Sequence, residues 1–275
     1  MTDDFRRRMQ DLAEQVRLHR FRYYVLDQPT LGDAEYDALE RELRELEAAH
    51  PDLADPNSPT RRVGAPPVDF FEKVRHRTPM YSLDNAYTEA ELQEWEGRLR
   101  RLAPEAEPVF AAELKVDGLS LSLRYEGGRL VEALTRGDGE TGERVLENAR
   151  TIADIPLSLP PDAPSELEVR GEVFLSRRRW EELNAARDAA GAARFANPRN
   201  AASGTMKLLD SRVVAQRRLQ FLPWQWVGAE DHFEAMERLE AWGFGRMPAH
   251  ATGSLAVIWA FVQAQESRAP RPRPE

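Results

Sequence analysis

Apolar residues return every three to four positions over the first fifty residues. Phe5, Met9, Leu12 and Val16 fall on one face of a helix predicted over residues 4–25. The turn-forming run Asp27-Gln28-Pro29-Thr30-Leu31-Gly32 interrupts it. Asp33 is placed to cap a second helix, in which Tyr36, Leu39, Leu43 and Leu46 repeat as a heptad seam. His50-Pro51 stops that helix, because the residue before proline is pushed out of the helical region. Two helices and a short loop predict an antiparallel hairpin over residues 1–70, mobile on an irregular, proline-rich linker from Pro51 to Arg77. Thr88-Glu89-Ala90-Glu91 is a capping box for a helix running to about Leu102. The period then shortens to two. Val109-Phe110-Ala111-Ala112 reads as a strand, and Leu119, Leu121, Leu123 and Tyr125 alternate with Ser120, Ser122 and Arg124. Gly127-Gly128 predicts a hairpin turn before a strand over Leu130 to Thr135. Further strands are expected over Leu167 to Leu175 and Leu219 to Val227. Helices are expected over Ser176 to Ala190, ended by Gly191, over Phe233 to Trp242 and over Leu255 to Gln265. The pattern predicts an α+β protein: an N-terminal helical hairpin, an antiparallel-sheet domain over residues 71–268, and a polyproline-like Pro/Arg tail over 269–275.

Composition narrows the partners. The chain has 275 residues, enough for one or two domains, and a net charge of −9, which argues against extended nucleic-acid binding by this chain alone. Arginine groups at Arg98, Arg100 and Arg101, and at Arg177 to Arg179, read first as solvated helix faces. No apolar run approaches the roughly 20 residues of a membrane span, and the charged N-terminus has no signal-peptide core. The absence of cysteine excludes disulfides and thiolate metal sites, and fits the cytoplasm.

The chemistry concentrates in Ala112-Glu113-Leu114-Lys115-Val116-Asp117-Gly118. At period two, Glu113, Lys115 and Asp117 point to one side of a strand, one amine between two acids. Such a lysine serves as a nucleophile when its pKa falls from about 10.4 toward neutrality. Alone, K-x-D-G describes many ordinary surface strands. Here it is followed by Thr135-Arg136-Gly137-Asp138-Gly139, by Glu168-Val169-Arg170-Gly171-Glu172, and by Phe195-Ala196-Asn197-Pro198-Arg199-Asn200-Ala201-Ala202-Ser203-Gly204.

In this order these motifs resemble the adenylation domain of bacterial NAD-dependent DNA ligases, and the resemblance covers nearly the whole chain. It implies that Lys115 attacks the α-phosphate of NAD, forming a lysine–AMP adduct and releasing nicotinamide mononucleotide, for later nick sealing in DNA replication and repair. Asp117 is then a catalytic carboxylate that orients the amine or holds metal-bound water. Glu113 and Glu172 match nucleotide contacts, Glu172 on the ribose side, and Arg136 and Arg199 match ribose- or phosphate-side arginines. Lys207 stands where many relatives carry arginine, keeping the charge but losing the bidentate fork. Trp224 matches an adenine-stacking aromatic, with Trp226 two residues on as the competing position. In the hairpin, Tyr23, Asp33, Ala34, Glu35, Tyr36 and Asp37 match the nicotinamide-binding module, with Tyr24 replacing a histidine. Ser82 and Leu83 match a further cofactor contact. Mg²⁺ is implied as a second cofactor, and no residue set is assigned as its ligands. The expected partner is nicked duplex DNA in a full-length context, weakly or not at all for this chain, which is expected to be a monomer. The family's later lysine-bearing strands and DNA-binding domains are not found before Glu275. The expectation from sequence is therefore a fragment or short form that is weak or inactive in sealing. Two alternatives stay open: a non-catalytic NAD- or nucleotide-binding fragment, and an ATP-dependent nucleotidyltransferase sharing K-x-D-G chemistry.

Overall fold

The computed structural model describes residues 2–24, 31, 33–60, 70–246 and 250–268, so the expected 269–275 tail lies outside the described residues. Two helices open the chain, α1 (Thr2–Tyr24) and α2 (Asp33–Ala49). Their facing sides bury Met9, Leu12, Ala13, Val16 and Leu43, with Leu39 and Leu46 packed alongside, as the apolar period requires. Phe5 stays largely exposed, stacking instead on His50 with ring centroids 4.3 Å apart.

After the hairpin come β1 (Lys73–Arg75), α3 (Glu89–Leu102), β2 (Phe110–Glu113), β3 (Leu119–Glu126), β4 (Arg129–Thr135), β5 (Thr141–Glu143), α4 (Leu146–Ala149) and β6 (Glu166–Phe174). They are followed by α5 (Arg177–Ala189), α6 (Pro198–Met206), α7 (Ser211–Arg217), β7 (Gln220–Trp226), α8 (His232–Ala241), β8 (His250–Gly253) and α9 (Leu255–Arg268). The described strands form a four-stranded antiparallel sheet in the order β4-β3-β6-β7 and two small antiparallel pairs, β1-β5 and β2-β8. This is the α+β class expected. Gly127 and Gly128 close the β3–β4 turn at φ +53° and +72°, the left-handed conformations that a two-residue hairpin demands.

The sheet has two unlike faces. Leu121, Leu123 and Tyr125 of β3, Val169 and Val173 of β6, and Phe221 of β7 enter the main core with Ile152, Ile155, Met206 and Leu239. The alternate residues, Ser120, Ser122, Glu168, Arg170 and Glu172, line the other face. The irregular linker expected from Pro51 to Arg77 holds a paired strand, β1, residues 61–69 lie outside the described residues, and within 51–60 Asn57, Ser58 and Thr60 are buried. There Asp55 pairs with Arg17 of α1 at 3.5 Å and with Arg129 of β4, and Asn57 Oδ1 accepts from the buried Arg150 at 3.0 Å.

By contacts the chain divides into two compact units, Met1–Met80 with Asp117–Arg246, and Tyr81–Val116 with Met247–Glu275. The second has its own small core of Phe110, Leu255 and Ile258. Its helix α3 carries the expected capping box, Thr88 bonding Glu91 N and Glu91 reaching back to Thr88 N.

Two local expectations are corrected. The strand does not run on through Lys115: β2 ends at Glu113, and residues 114–117 form an irregular connection, so a shared strand face no longer relates Glu113, Lys115 and Asp117. Trp224 and Trp226 do not face the same way either. A register shift opposite Arg170 and Gly171 leaves Trp224 without a ladder partner, so Gln225 pairs with Arg170 and Trp226 with core-facing Val169. Trp226 packs on Trp242 at 5.3 Å, while Trp224 keeps the side of Leu222, the cross-strand partner of Glu172.

Candidate nucleotide site

Register builds the polar face rung by rung. Ser120 lies opposite Glu172, Ser122 opposite Arg170, and Arg124 opposite Glu168. Ser120 Oγ donates to Glu172 Oε2 at 2.7 Å, and Gly118 N–H donates to Glu172 Oε1 at 3.1 Å. The carboxylate is therefore held through both oxygens while the residue is 8% exposed. Gly118 is obligatory here, since a Cβ would lie 2.0 Å from the Val173 carbonyl oxygen.

One residue before that glycine, exposed Asp117 accepts from Arg199 Nη1 at 2.5 Å. Arg199 sits in the first turn of α6, which Asn197 caps by accepting from Asn200 N, with Pro198 at the first helical position. The bond to Asp117, and then its charge, raise the Arg199 pKa above its ordinary value, with Glu172 adding to the field. At the other end of α6, Lys207 Nζ lies 3.2 Å from Glu143 Oε2 of β5.

The loop bearing Arg136 is fixed from several sides. Arg136 N donates to Ser120 O at 3.2 Å, and Gly139 N donates to Arg136 O at 3.0 Å. Buried His76 places Nε2 3.2 Å from the same carbonyl. The Asp138 carboxylate accepts from Thr141 N and Glu140 N, and those bonds hold its pKa below the ordinary value. Gly137 adopts φ +58°, where a side chain would be strained. Buried Arg170 donates to the carbonyls of Thr78 at 2.6 Å and Pro79 at 3.1 Å while bonding Glu168, and Met80 N donates to Gly139 O at 2.8 Å. Three motifs that are far apart in sequence are thus tied into one polar layer.

Asp117, Glu172 and Arg199 come together in the first unit, with Arg136 on its braced loop and Trp224 on the sheet face of Glu172. Lys115, Glu113, Ser82 and Leu83 belong to the second unit. Lys115 is exposed beyond the end of β2, Glu113 ends that strand opposite His250, and Ser82 and Leu83 are exposed ahead of α3. Tyr23 lies in the last turn of α1, and Asp33, Ala34, Glu35, Tyr36 and Asp37 open α2. Glu35 is exposed; the side chains of the other five lie outside the described residues. Sequence reasoning passed over Ser120, His76 and Arg170. Ser120 left a signal in the alternating β3 pattern and Arg170 in the motif from Glu168 to Glu172, and neither was given a role; His76 left none.

Residues 68–269 match the family described as NAD-dependent DNA ligase adenylation domain, and residues 2–64 match the DNA ligase-like N-terminal NAD+-binding domain. The chain belongs to the NAD-dependent DNA ligase family. It is 49% identical over 241 residues to a DNA ligase of Solibacter usitatus, covering 86% of this chain and 36% of that protein. To a DNA ligase of Symbiobacterium thermophilum it is 49% identical over 272 residues, covering 95% of this chain and 40% of the relative. The chain thus spans less than half the length of these ligases. Among the described residues no helix is long and apolar enough to cross a membrane.

Proposed function

We propose that Lys115 is the site of adenylation by NAD+. Its Nζ attacks the α-phosphorus of the adenylate half, an N–P bond forms, and the P–O bond to nicotinamide mononucleotide breaks. The amine loses its proton in the process. In the whole protein the AMP then passes to the 5′-phosphate of nicked duplex DNA, and attack by the 3′-hydroxyl seals the strand and releases AMP. The observation that carries this reading is that the last two residues of the K-x-D-G run are both engaged, Gly118 N–H in the Glu172 cradle with Ser120, and Asp117 in the pair with Arg199. A neutral amine is the nucleophile, and nearby carboxylates favour the charged form. Arg199 offsets the charge of Asp117, two residues from Lys115. In this reading Glu172 and Glu113 hold the adenosine portion, Arg136 and Arg199 the phosphates, and Trp224 the adenine face. Tyr23, Asp33, Tyr36, Asp37, Ser82 and Leu83 serve the nicotinamide half.

Mg²⁺ fits a site of this kind through substrate oxygens. Among the described residues no group of three or more His, Cys, Asp or Glu side chains could hold a metal ion. Mg²⁺ commonly binds through one or two carboxylates plus phosphates and water. Asp117, two residues after Lys115 in sequence, is the candidate carboxylate, and the ion would supply neutralisation of phosphate charge when bound. The working partner is nicked duplex DNA, the working place the cytoplasm, and the chain a monomer.

The test is intact-mass analysis after incubation with NAD+ and Mg²⁺. Lysine occurs only at Lys73, Lys115 and Lys207, so the map is unambiguous. One acid-labile AMP on Lys115, absent from Lys115→Met, is expected. AMP on Lys73 or Lys207 refutes the assignment, and adduct formation with ATP but not NAD+ refutes the cofactor.

A further inference from the structure

We infer that His76 is a positioning residue for Arg136: its ring clamps the Arg136 carbonyl and so aims the guanidinium at a phosphate of the ligand. This rests on the reading of Arg136 as a phosphate contact. A buried polar ring is costly unless it is hydrogen-bonded. His76 is 6% exposed, and its Nε2 lies 3.2 Å from Arg136 O. A carbonyl oxygen only accepts, so Nε2 carries the hydrogen in this bond and donates it. The ring has room because Gly142 stands beside it. A Cβ there would come within 3.0 Å of Nε2 and 1.8 Å of the Thr135 carbonyl oxygen.

The loop does not aim Arg136 by itself. Gly137 and Gly139 take φ of +58° and +99°, and glycine reaches many other conformations at little cost. The bond from Gly139 N to Arg136 O closes the turn, but it moves with the turn. Direction has to come from outside. Arg136 N donates to Ser120 O of β3 at 3.2 Å, which holds the peptide before the arginine. The His76 ring holds the carbonyl of the peptide after it. Further along the loop, Met80 N holds Gly139 O at 2.8 Å. The histidine is itself seated by backbone: it follows β1, and its N donates to Glu140 O at 2.8 Å, just ahead of β5. Holding both peptides of Arg136 sets the direction in which its side chain leaves the chain, while the residue stays exposed.

A guanidinium binds phosphate best when its planar fork arrives aligned, because freedom lost on binding subtracts from affinity. Without the Nε2 hydrogen, Arg136 keeps its charge but loses part of its alignment. The loss falls on the phosphate of a ligand and leaves the nucleoside part little affected. Glutamine carries an amide N–H as many bonds from Cα as Nε2 is, so it can supply the same donor. Asparagine is one bond short and cannot.

The experiment measures equilibrium binding of AMP and of adenosine to the 275-residue chain and to its variants. In His76→Leu and His76→Asn the ratio of AMP to adenosine affinity should fall by about three- to tenfold, the range of one net hydrogen bond. In His76→Gln it should return to the parent value. Arg75→Ala removes only an exposed pair with Glu140 on the same strand, and should leave the ratio unchanged. In an Arg136→Ala background, His76→Leu should lower the ratio no further, because the group being aimed is gone. An unchanged ratio in His76→Leu, an equal loss in Arg75→Ala, or an undiminished loss in the Arg136→Ala background overturns the inference while leaving the nucleotide site standing. If His76→Leu does not fold, the glutamine and asparagine variants decide alone, and equal ratios in the two overturn it. A parent ratio in Arg136→Ala overturns the phosphate reading of Arg136 and this inference with it. Failure of the unsubstituted chain to bind AMP overturns the nucleotide site as a whole.

Discussion

Gly118 concentrates several demands in one residue. It follows Asp117, donates to Glu172, and leaves no room for a methyl group beside the Val173 carbonyl. Gly118→Ala should therefore destabilise the fold by about 1–3 kcal/mol, the usual cost of overpacking a tight site, and displace the N–H from Glu172. Urea denaturation reads the first effect. A variant as stable as the parent would show that the strand shifts freely, contrary to the register described. At this scale the sequence was informative where side chains carry their own chemistry. The glycine turn of R-G-D-G and the serine–leucine alternation were legible, while the shared strand face of Glu113, Lys115 and Asp117 was not borne out. The roles of His76 and Arg170 were not legible, because they act on carbonyl groups 60 residues away and 91 to 92 residues away, and no local pattern encodes that.

Elements defined by long apolar periods were read correctly, and of the short ones only the apolar strand β2 was, with its end one residue later than Ala112. α1, α2, α3, α5, α8, α9, β3, β4, β6 and β7 all follow from period and caps. β1, β5 and β8 are three or four residues long, and α4, α6 and α7 are four, nine and seven. Asn197-Pro198 and Asp210 are start signals for α6 and α7, but helices this short lack the repeats that a periodicity search needs. The tryptophan question shows a second limit: period two assumes an unbroken ladder, and a bulge reverses the side on which later residues fall. The linker after α2 carries a prediction of its own. Burial alone would raise the pKa of Asp55; its bonds to Arg129 and Asn57 N, with the charges of Arg129 and Arg17, outweigh that and leave it lowered. A lowered carboxylate pKa contributes stability above its unfolded value, near 3.8, and that stability is lost as pH falls through the folded value. The protection of α1 amides, relative to their intrinsic exchange at each pH, should therefore fall below about pH 4. Asp55→Asn should lower it already at pH 7, by the equivalent of about 1–3 kcal/mol, less than for a fully buried pair because Arg129 is half exposed. Exchange in α1 indifferent to both changes would show that the hairpin is held by its apolar seam alone.

The two units differ in what holds them. The first builds a continuous core beneath a four-stranded sheet, and the second rests on three buried apolar residues and a two-stranded ladder. Amides of Leu121, Leu123, Val169 and Val173 should be the slowest to exchange, and those of β2 well ahead of them. The reverse order would mean that the small unit is the more stable part. The second unit is also discontinuous in sequence, which has a consequence during synthesis. On the ribosome, β2 at Phe110–Glu113 emerges long before β8 at His250–Gly253, its ladder partner among the described residues. At about 5–20 residues per second, the nascent chain waits roughly seven to thirty seconds with that edge open. Among the described strands, the stretch leading to Lys115 is therefore the one that waits longest for its partner, and until then it is exposed to chaperones and to neighbouring nascent chains.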